Sequence, residues 1–324
     1  MPTVTTTLAG ERWRASRAAH TGRVDALIGP YLRERRSGRK HPVVDFLFTY
    51  YGSRPAHVTR WHPGLGVALD DADEYLRLPG YVRGPEGVQA DPALVVERAE
   101  ALRTAVDLLS ATNARPARLG CFGLHEWAMV YRLEPEGVRH PAWPLRLGSD
   151  GTDAVVESMP LRCTHFDAFR FFTPAAEPLN ERPLSRASQL RDEQPGCLHT
   201  TMDLYRTCLR MIPLIESDLT FEAFRLALNA RELDMCASPY DLTALGYDPV
   251  CVETPAGRAE YVRRQSDIAD RGRLLRESIL DRLRGIATTT HCADTTKLPA
   301  SSIVAVSSAP PTTRVGYRRR TRPR

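Results

Sequence analysis

The sequence predicts a mainly α-helical fold with a minor β-sheet (α+β), folded as a single helical domain. Helical periodicity is the main reason, because apolar side chains recur every three or four positions along 21–36 and again along 197–212. Two short stretches, 117–124 and the pair Val155-Val156, favour β-strands and supply the minor sheet. A chain of 324 residues is long enough to bury a substantial core.

The first elements follow from apolar spacing and from glycine and proline. The stretch 21–36 predicts a helix with its apolar residues on one face and arginines on the other. Residues 41–51 are continuously apolar and aromatic, which is typical of a buried segment, whereas glycine and proline punctuate 52–92 and 61–66 is predicted as a loop. The pair Asp91-Pro92 resembles an N-cap followed by proline at the first helical position, so we expect a helix to start there.

The later elements are predicted mostly as helices. The aromatic run 166–172 fits either a strand or a helix. From 197 to 212 the apolar stripe predicts a helix that ends before Pro213, and a second helix fits Phe221–Asp234. A long helix is expected from 258 to 284, where Gly285 closes it.

These elements divide the chain into three parts. Residues 1–20 are predicted as a flexible N-terminus and 21–285 as a globular, mainly helical enzyme domain. Residues 286–324 are rich in Ser, Thr and Pro, have no apolar periodicity and end in an arginine run. This composition predicts a disordered tail.

Positive charge is concentrated at the two ends. Nine basic residues face three acidic ones in 1–40, and the last eleven residues contain six arginines and no acid. Because the whole chain has a net charge of only +5, the middle is acidic. Nucleic acid is bound by clustered basic residues, so a surface for it would have to come from the termini or from a local arginine cluster.

The composition also excludes several function classes. Lys40 and Lys297 are the only lysines, and neither is well placed for Schiff-base chemistry, for a pyridoxal phosphate linkage or for a phosphate-binding loop. The seven cysteines form no CxxC pair. We find no apolar run long enough to cross a membrane and no secretory signal, so we expect a cytoplasmic protein without membrane association.

Three short segments each place a histidine beside a carboxylate and near a cysteine. Histidine is scarce, with nine in the chain, and imidazole next to carboxylate is the composition of a general acid–base pair or of a metal site. We expect the cysteines to be small buried packing residues. The segments are Cys121/His125/Glu126, Cys163/His165/Asp167 and Cys197/His199/Asp203.

The pair His199 and Asp203 has the best geometry. Four residues apart on a predicted helix, the two side chains lie on one face, and Arg206 continues that polar stripe. Both can reach one metal ion, or the acid can orient the imidazole as a base. The alternative is an exposed polar face with a weak ion pair.

The second pair, His165 and Asp167, points in one direction if the segment is extended. This spacing is typical of histidine–aspartate pairs in non-haem iron sites, and a structural histidine among aromatic residues is the alternative. The predicted ligands of a divalent metal, which would be Fe, Mn or Zn, are His165, His199 and Asp203.

The third segment begins a predicted helix, so His125 and Glu126 diverge and only one is expected to face a site. Apolar neighbours such as Trp127 suit Glu126 to a role as general acid; a helix-start glutamate is the alternative. Further along, the charges of Arg231 and Asp234 at a predicted helix end indicate either a buried ion network or part of a cleft.

Aromatic residues recur in two stretches, 46–51 and 166–172, where they can stack a planar ring such as a nucleobase or simply pack in the core. The catalytic candidates are Glu126, Asp167, Asp203 and His125. The substrate-binding candidates are Tyr50, Trp127, Phe169, Arg170 and Arg206.

Five blocks carry a resemblance to a known family. They are 41–51, 120–131, 162–172, 193–199 and 231–242. They resemble an actinobacterial family of about this length whose members are commonly labelled 3-methyladenine DNA glycosylase. The resemblance covers roughly residues 40–285 and implies the hydrolysis of an N-glycosidic bond, with an acid that activates water and an aromatic pocket for the base.

Three functions follow as hypotheses. The first is N-glycosidic hydrolysis of a nucleobase substrate, in which Arg170 or Arg206 meets phosphate. The second is a metal-dependent oxidase or hydrolase that acts on a small molecule. The third is a non-catalytic protein that binds a ligand or associates with DNA.

Overall fold

The computed structural model describes residues 6–133 and 142–294. It is mainly helical with one small sheet, which confirms the predicted fold class. The α-helices of the described residues are α1 Gly10–Arg36, α2 Val44–Thr49, α3 Pro55–Thr59, α4 Ala93–Glu97, α5 Ala99–Asn113, α6 Leu124–Ala128, α7 Gly148–Ser158, α8 Phe166–Phe169, α9 Gln189–Asp192, α10 Leu198–Met211, α11 Ser217–Cys236 and α12 Pro255–Asp294.

Four short strands form a mixed sheet in the order β1-β2-β4-β3. β1 runs parallel to β2, and the other neighbouring pairs are antiparallel. Gly87 starts β4 with a φ of +128°, and a Cβ there would lie 2.4 Å from the carbonyl oxygen of Leu69, so only glycine fits. The strands are β1 Thr6–Leu8, β2 Val67–Leu69, β3 Tyr81–Gly84 and β4 Gly87–Ala90.

The N-terminus differs from the prediction of a flexible segment over 1–20. The helix α1 begins at Gly10, and Trp13 is completely buried in a small apolar cluster with the sheet. The indole Nε1 of Trp13 donates a hydrogen bond to the carbonyl oxygen of Asp70 over 2.8 Å. His20 is also buried, 2.8 Å from the carbonyl oxygen of Val58 through Nε2. Tertiary contacts that local periodicity cannot reveal therefore order this segment.

The main core is formed by three helices that the sequence predicts. α10 packs against α11, and both pack on α12, which also contacts α5. The predicted helices at 197–212 and at Phe221–Asp234 are confirmed as α10 and α11. α11 is buried along most of its length, and this places Arg231 and Asp234 inside the protein rather than on its surface.

Three predicted elements are wrong in type or length. Residues 117–121 form no strand, and Val155-Val156 lie in α7 with both side chains buried. Burial of one face of α7 outweighs the β-preference of valine, which is weak and depends on context. α12 continues past Gly285, because packing of neighbours such as Ile286 exceeds the cost of about 1 kcal/mol for a helical glycine. Of the predicted tail, residues 295–324 lie outside the described residues.

Candidate functional site

The three histidines of the sequence motifs lie together in the core. The ring centroid of His199 is 4.6 Å from that of His125 in a T-shaped contact and 5.3 Å from that of His165 in a stacked contact. All three side chains are buried. α10 begins at Leu198 and places His199 in its first turn, α6 holds His125, and His165 directly precedes α8.

Carboxylates divide the histidines into two groups that can hold a metal ion. Within each group the potential ligand atoms lie within 4.8 Å of one another. We call them the His125 group and the His165 group. The His125 group contains His125, His199 and Asp234, and the His165 group contains His165, Glu193 and Asp203.

This grouping differs from the predicted metal set in two residues. His199 falls with His125 rather than with His165 and Asp203. Glu193 had no sequence signal, because it follows the four-residue helix α9 without any pattern. Asp234 could have been found, since the dense charge at the end of α11 already indicated a buried ion network.

Two members of the His125 group, His125 and Asp234, form a hydrogen-bond network with Arg231 and Glu126. Nε2 of His125 lies 2.7 Å from Oδ1 of Asp234. Nη1 of Arg231 donates to Oδ2 of Asp234 and to Oε1 of Glu126, both over 2.6 Å. Burial by itself lowers the pKa of His125, but the Asp234 carboxylate outweighs it and holds the pKa well above the ordinary value.

His199 carries the opposite shift. Burial lowers the pKa of His199 well below 6.5, and the positive charge of His125 lowers it further. His199 is therefore a neutral imidazole at pH 7, which is the form that accepts a proton. Its Nδ1 is buried and has no hydrogen-bond partner among the described residues.

The His165 group is close but not hydrogen-bonded. Nδ1 of His165 lies 3.2 Å from Oε1 of Glu193, and Nε2 lies 3.8 Å from Oδ2 of Asp203. Neither ring nitrogen has a hydrogen bond with acceptable geometry among the described residues. The imidazole and the carboxylate are therefore close, but their orientation does not allow a hydrogen bond. Burial lowers the pKa of His165, but the Glu193 carboxylate raises it by more.

Asp167 does not join His165, because α8 begins at Phe166 and turns the two side chains apart. The Asp167 carboxylate instead accepts from Nη1 of Arg206 over 2.9 Å and from Nη2 of Arg186 over 2.5 Å. Burial raises the pKa of Asp167, but the two guanidinium groups outweigh it and lower the pKa to about 2. Arg206 also contacts Asp203, so this arginine connects two carboxylates.

A cavity of about 280 Å³ lies beside His199. Its walls include Phe46, Tyr50 and Phe171, and its polar lining includes Glu126 and Asp167. The rings of Phe46 and Tyr50 stack with their centroids 4.8 Å apart. A cavity of this size and lining accepts one planar ring system.

Three of the predicted binding residues, Trp127, Phe169 and Arg170, do not line this cavity. Trp127 is fully buried and donates from Nε1 to the carbonyl oxygen of Ala237 over 2.8 Å, so it is a core residue. Phe169 packs on Phe172, with ring centroids 5.0 Å apart. Arg170 is half-exposed, with its guanidinium 4.0 Å above the ring of Phe171.

The cysteines of the three motifs differ from one another. Cys163 is buried, as expected of a packing residue, whereas Cys121 and Cys197 are only partly buried. The Sγ atom of Cys121 lies 3.5 Å from Nδ1 of His125, so this thiol contacts the histidine cluster directly.

Several basic residues of the N-terminal region form salt bridges on the protein surface. Arg14 contacts Asp71 over 2.8 Å and Arg17 contacts Glu74 over 3.1 Å, so acidic partners already offset part of the positive charge. The arginine-rich end of the chain lies outside the described residues. Among the described helices, none is both long and apolar enough to span a membrane.

Comparison with known proteins finds no matching family model, no matching curated protein and no matching solved structure.

Proposed function

We propose that this chain is a metal-dependent hydrolase of a small substrate with a planar ring, and that His165, Glu193 and Asp203 hold the metal. One observation carries the proposal. The imidazole of His165 is buried with no aligned hydrogen bond at either ring nitrogen, although two carboxylates lie beside it. Buried polar atoms nearly always have partners, so an atom without one needs an explanation.

A metal ion would supply a partner for one of the two ring nitrogens. Ligand atoms about 2.1 Å from an ion are separated by about 3 to 4 Å, and the atoms of the His165 group lie within 4.8 Å of one another. Small inward movements of the side chains therefore suffice. One imidazole and two carboxylates suit Fe, Mn or Zn and leave coordination positions for water.

The charge of Glu193 supports the same assignment. Glu193 is almost completely buried, and among the described residues it forms no salt bridge with any arginine. Its carboxylate contacts His165 and the side-chain amide of Gln189. A buried carboxylate needs positive charge nearby, which here comes from Arg206 and Arg276 at longer range and, in direct contact, from a proton on His165 or a cation between the two side chains.

The His125 group fits a metal less well. Carboxylates of both groups already accept hydrogen bonds, Asp234 from His125 and Arg231, and Asp203 from Tyr51 and Arg206. Only in the His125 group is the imidazole itself a partner, so a metal ion there would also have to displace the hydrogen bond between His125 and Asp234, which costs free energy. We therefore assign this group to positioning and proton transfer, with neutral His199 at the cavity as a base.

The test is the metal content of the purified full-length chain, before and after loading with Fe(II), Mn(II) or Zn(II). We expect about one ion per chain in the wild type and a loss in His165→Ala and in Glu193→Gln. His57→Ala, which removes a histidine distant from the site, is the matched control and should keep the ion. A wild-type chain that stays metal-free with all three ions contradicts the proposal.

N-glycosidic hydrolysis without a metal is the second candidate. The cavity supports it, because stacked Phe46 and Tyr50 face the carboxylates of Glu126 and Asp167. In this case Glu126 activates water, and the negative charges stabilise the positive sugar that forms as the bond breaks. Release of free base from nucleosides by the metal-free chain, and its loss in Glu126→Gln, would favour this candidate over the first.

A further inference from the structure

The contact between Cys121 and His125 extends into a linear chain of three groups. Sγ of Cys121 lies 3.5 Å from Nδ1 of His125, and Nε2 of the same ring lies 2.7 Å from Oδ1 of Asp234. The other oxygen of Asp234 is held by Arg231 over 2.6 Å, which fixes the carboxylate in place. Thiol, imidazole and carboxylate in this order form the arrangement that activates a cysteine nucleophile.

The backbone between the thiol and the imidazole is strained. Phe122 has a φ of +52° and Gly123 a φ of +72°, so two successive residues are left-handed just before α6 begins. A non-glycine residue in this region costs on the order of 1–3 kcal/mol, and such strain is concentrated at functional sites. The strained turn brings the side chains at 121 and 125 into contact.

Cys121 lines a groove of about 550 Å³. The charged residues of the lining are Arg118, Arg162, Arg182 and Glu181. Arg162 and Arg182 have acidic partners at 3.9 Å and 3.2 Å, but Arg118 forms no salt bridge with any residue that the structure describes. A groove with this lining favours a ligand that carries a carboxylate or a phosphate.

This groove is separate from the 280 Å³ cavity. The cavity is lined by His199 and Glu126, whereas neither of these residues lines the groove. The histidine cluster lies between the two recesses, with Cys121 on one side and His199 on the other. The groove therefore has its own chemistry, which does not depend on the metal proposed for the His165 group.

We propose that Cys121 is a catalytic nucleophile and His125 its base, with Asp234 as the positioning residue, for an acyl substrate that carries an anionic group bound by the arginines of the groove. The Sγ–H proton passes to Nδ1 of His125 before the attack, which gives an imidazolium facing the sulfur, and Sγ then bonds to the carbonyl carbon. The bond to the leaving alcohol, thiol or amine then breaks, and the leaving group takes that proton. Water next attacks the thioester, its proton passes through His125 to Sγ, and the carboxylic acid and the free thiol are released.

The charge distribution around His125 supports this first proton transfer. Although burial opposes a charge on this ring, the nearby Asp234 carboxylate holds the pKa of His125 well above the ordinary value. An imidazolium that forms at His125 is therefore stabilised by a carboxylate 2.7 Å away.

The test is the rate of alkylation of individual cysteines in the full-length chain, followed by mass spectrometry. At pH 6.5 we expect iodoacetamide to modify Cys121 about tenfold or more faster than the partly buried control thiol Cys251. His125→Gln should remove the advantage of Cys121 over Cys251. If that variant fails to fold, the ratio of the two rates in the wild type alone decides.

The charge of the groove is tested with iodoacetate, the anionic analogue of iodoacetamide. We expect Arg118→Gln to slow iodoacetate at Cys121 by several-fold and to leave iodoacetamide unchanged. Equal rates at Cys121 and Cys251 in the wild type would overturn the proposal. The metal proposal is tested separately. Cys121→Ser removes the reactive thiol, whereas the loss of metal in His165→Ala reports on the His165 group.

Discussion

The two histidine groups are built from the same kinds of residue but differ in how their polar atoms are satisfied. In the His125 group, Asp234 is held by an imidazole on one oxygen and by Arg231 on the other. In the His165 group, the ring nitrogens lack aligned hydrogen bonds and Glu193 has no salt bridge to an arginine among the described residues. Both groups are buried, so solvent does not account for the difference.

This contrast assigns different roles to neighbouring clusters. The hydrogen-bonded chain of His125, Asp234 and Arg231 holds its members in one geometry, which suits a nucleophile and its base. We propose that a cation completes the His165 group, whose imidazole has no aligned hydrogen bond. Composition and spacing alone make the two groups look equivalent.

The largest expected effect tests the hydrogen-bond network of the His125 group. Arg231→Met leaves the carboxylates of Glu126 and Asp234 buried without their guanidinium, and we expect a loss of about 3–5 kcal/mol in the free energy of unfolding. Urea denaturation measures it. Arg225→Met is the control, because its salt bridge to Glu222 is half-exposed and worth about 0–1 kcal/mol. Equal losses in the two variants would mean that the network is not held together as described.

An intermediate effect is expected at the His165 group. A divalent ion at about one hundred times its dissociation constant should stabilise the wild type by about 2.7 kcal/mol, because it binds only the folded chain. Thermal denaturation with and without added Mn(II) or Zn(II) measures this gain. His165→Ala should lose the gain and His57→Ala should keep it. A gain that survives in His165→Ala would place the ion elsewhere and remove the contrast between the groups.

The smallest expected effect concerns Asp167, a carboxylate that, unlike Glu193, forms salt bridges with arginines. The pKa of Asp167 is about 2 in the folded chain against an ordinary 3.8, with burial opposing the stronger effect of Arg206 and Arg186. Since the folded-state pKa is lowered, the stabilisation is present above pH 4 and lost as the pH falls through 2. It amounts to about 2 kcal/mol.

The measurement is the free energy of unfolding of wild type and Asp167→Asn between pH 6 and pH 3. The difference between the two should shrink as the pH falls. Asp270→Asn, at an exposed position, is the control and should show no such trend. A difference that stays constant with pH would mean that Asp167 contributes by packing rather than by its charge.

Much of the helical architecture could be predicted from the chain alone. The apolar stripes of α10 and α11 predict both helices, because one buried face repeats every three to four residues. Elements whose burial depends on distant partners could not be predicted, and α7 is the clearest case. Its Val155-Val156 pair favours a strand locally, but the helix buries both side chains against the core.

The candidate site divides in the same way. The sequence by itself singled out three histidines with neighbouring carboxylates as the candidate site and determined that His199 lies at the start of a helix. Only the tertiary structure decided the partners, because Asp234 lies 109 residues from His125 along the chain. The tertiary structure also distinguished Cys121 from the other motif cysteines, because it places the Sγ atom of Cys121 3.5 Å from Nδ1 of His125. Pairing across such distances depends on how whole helices pack, and local spacing carries no record of it.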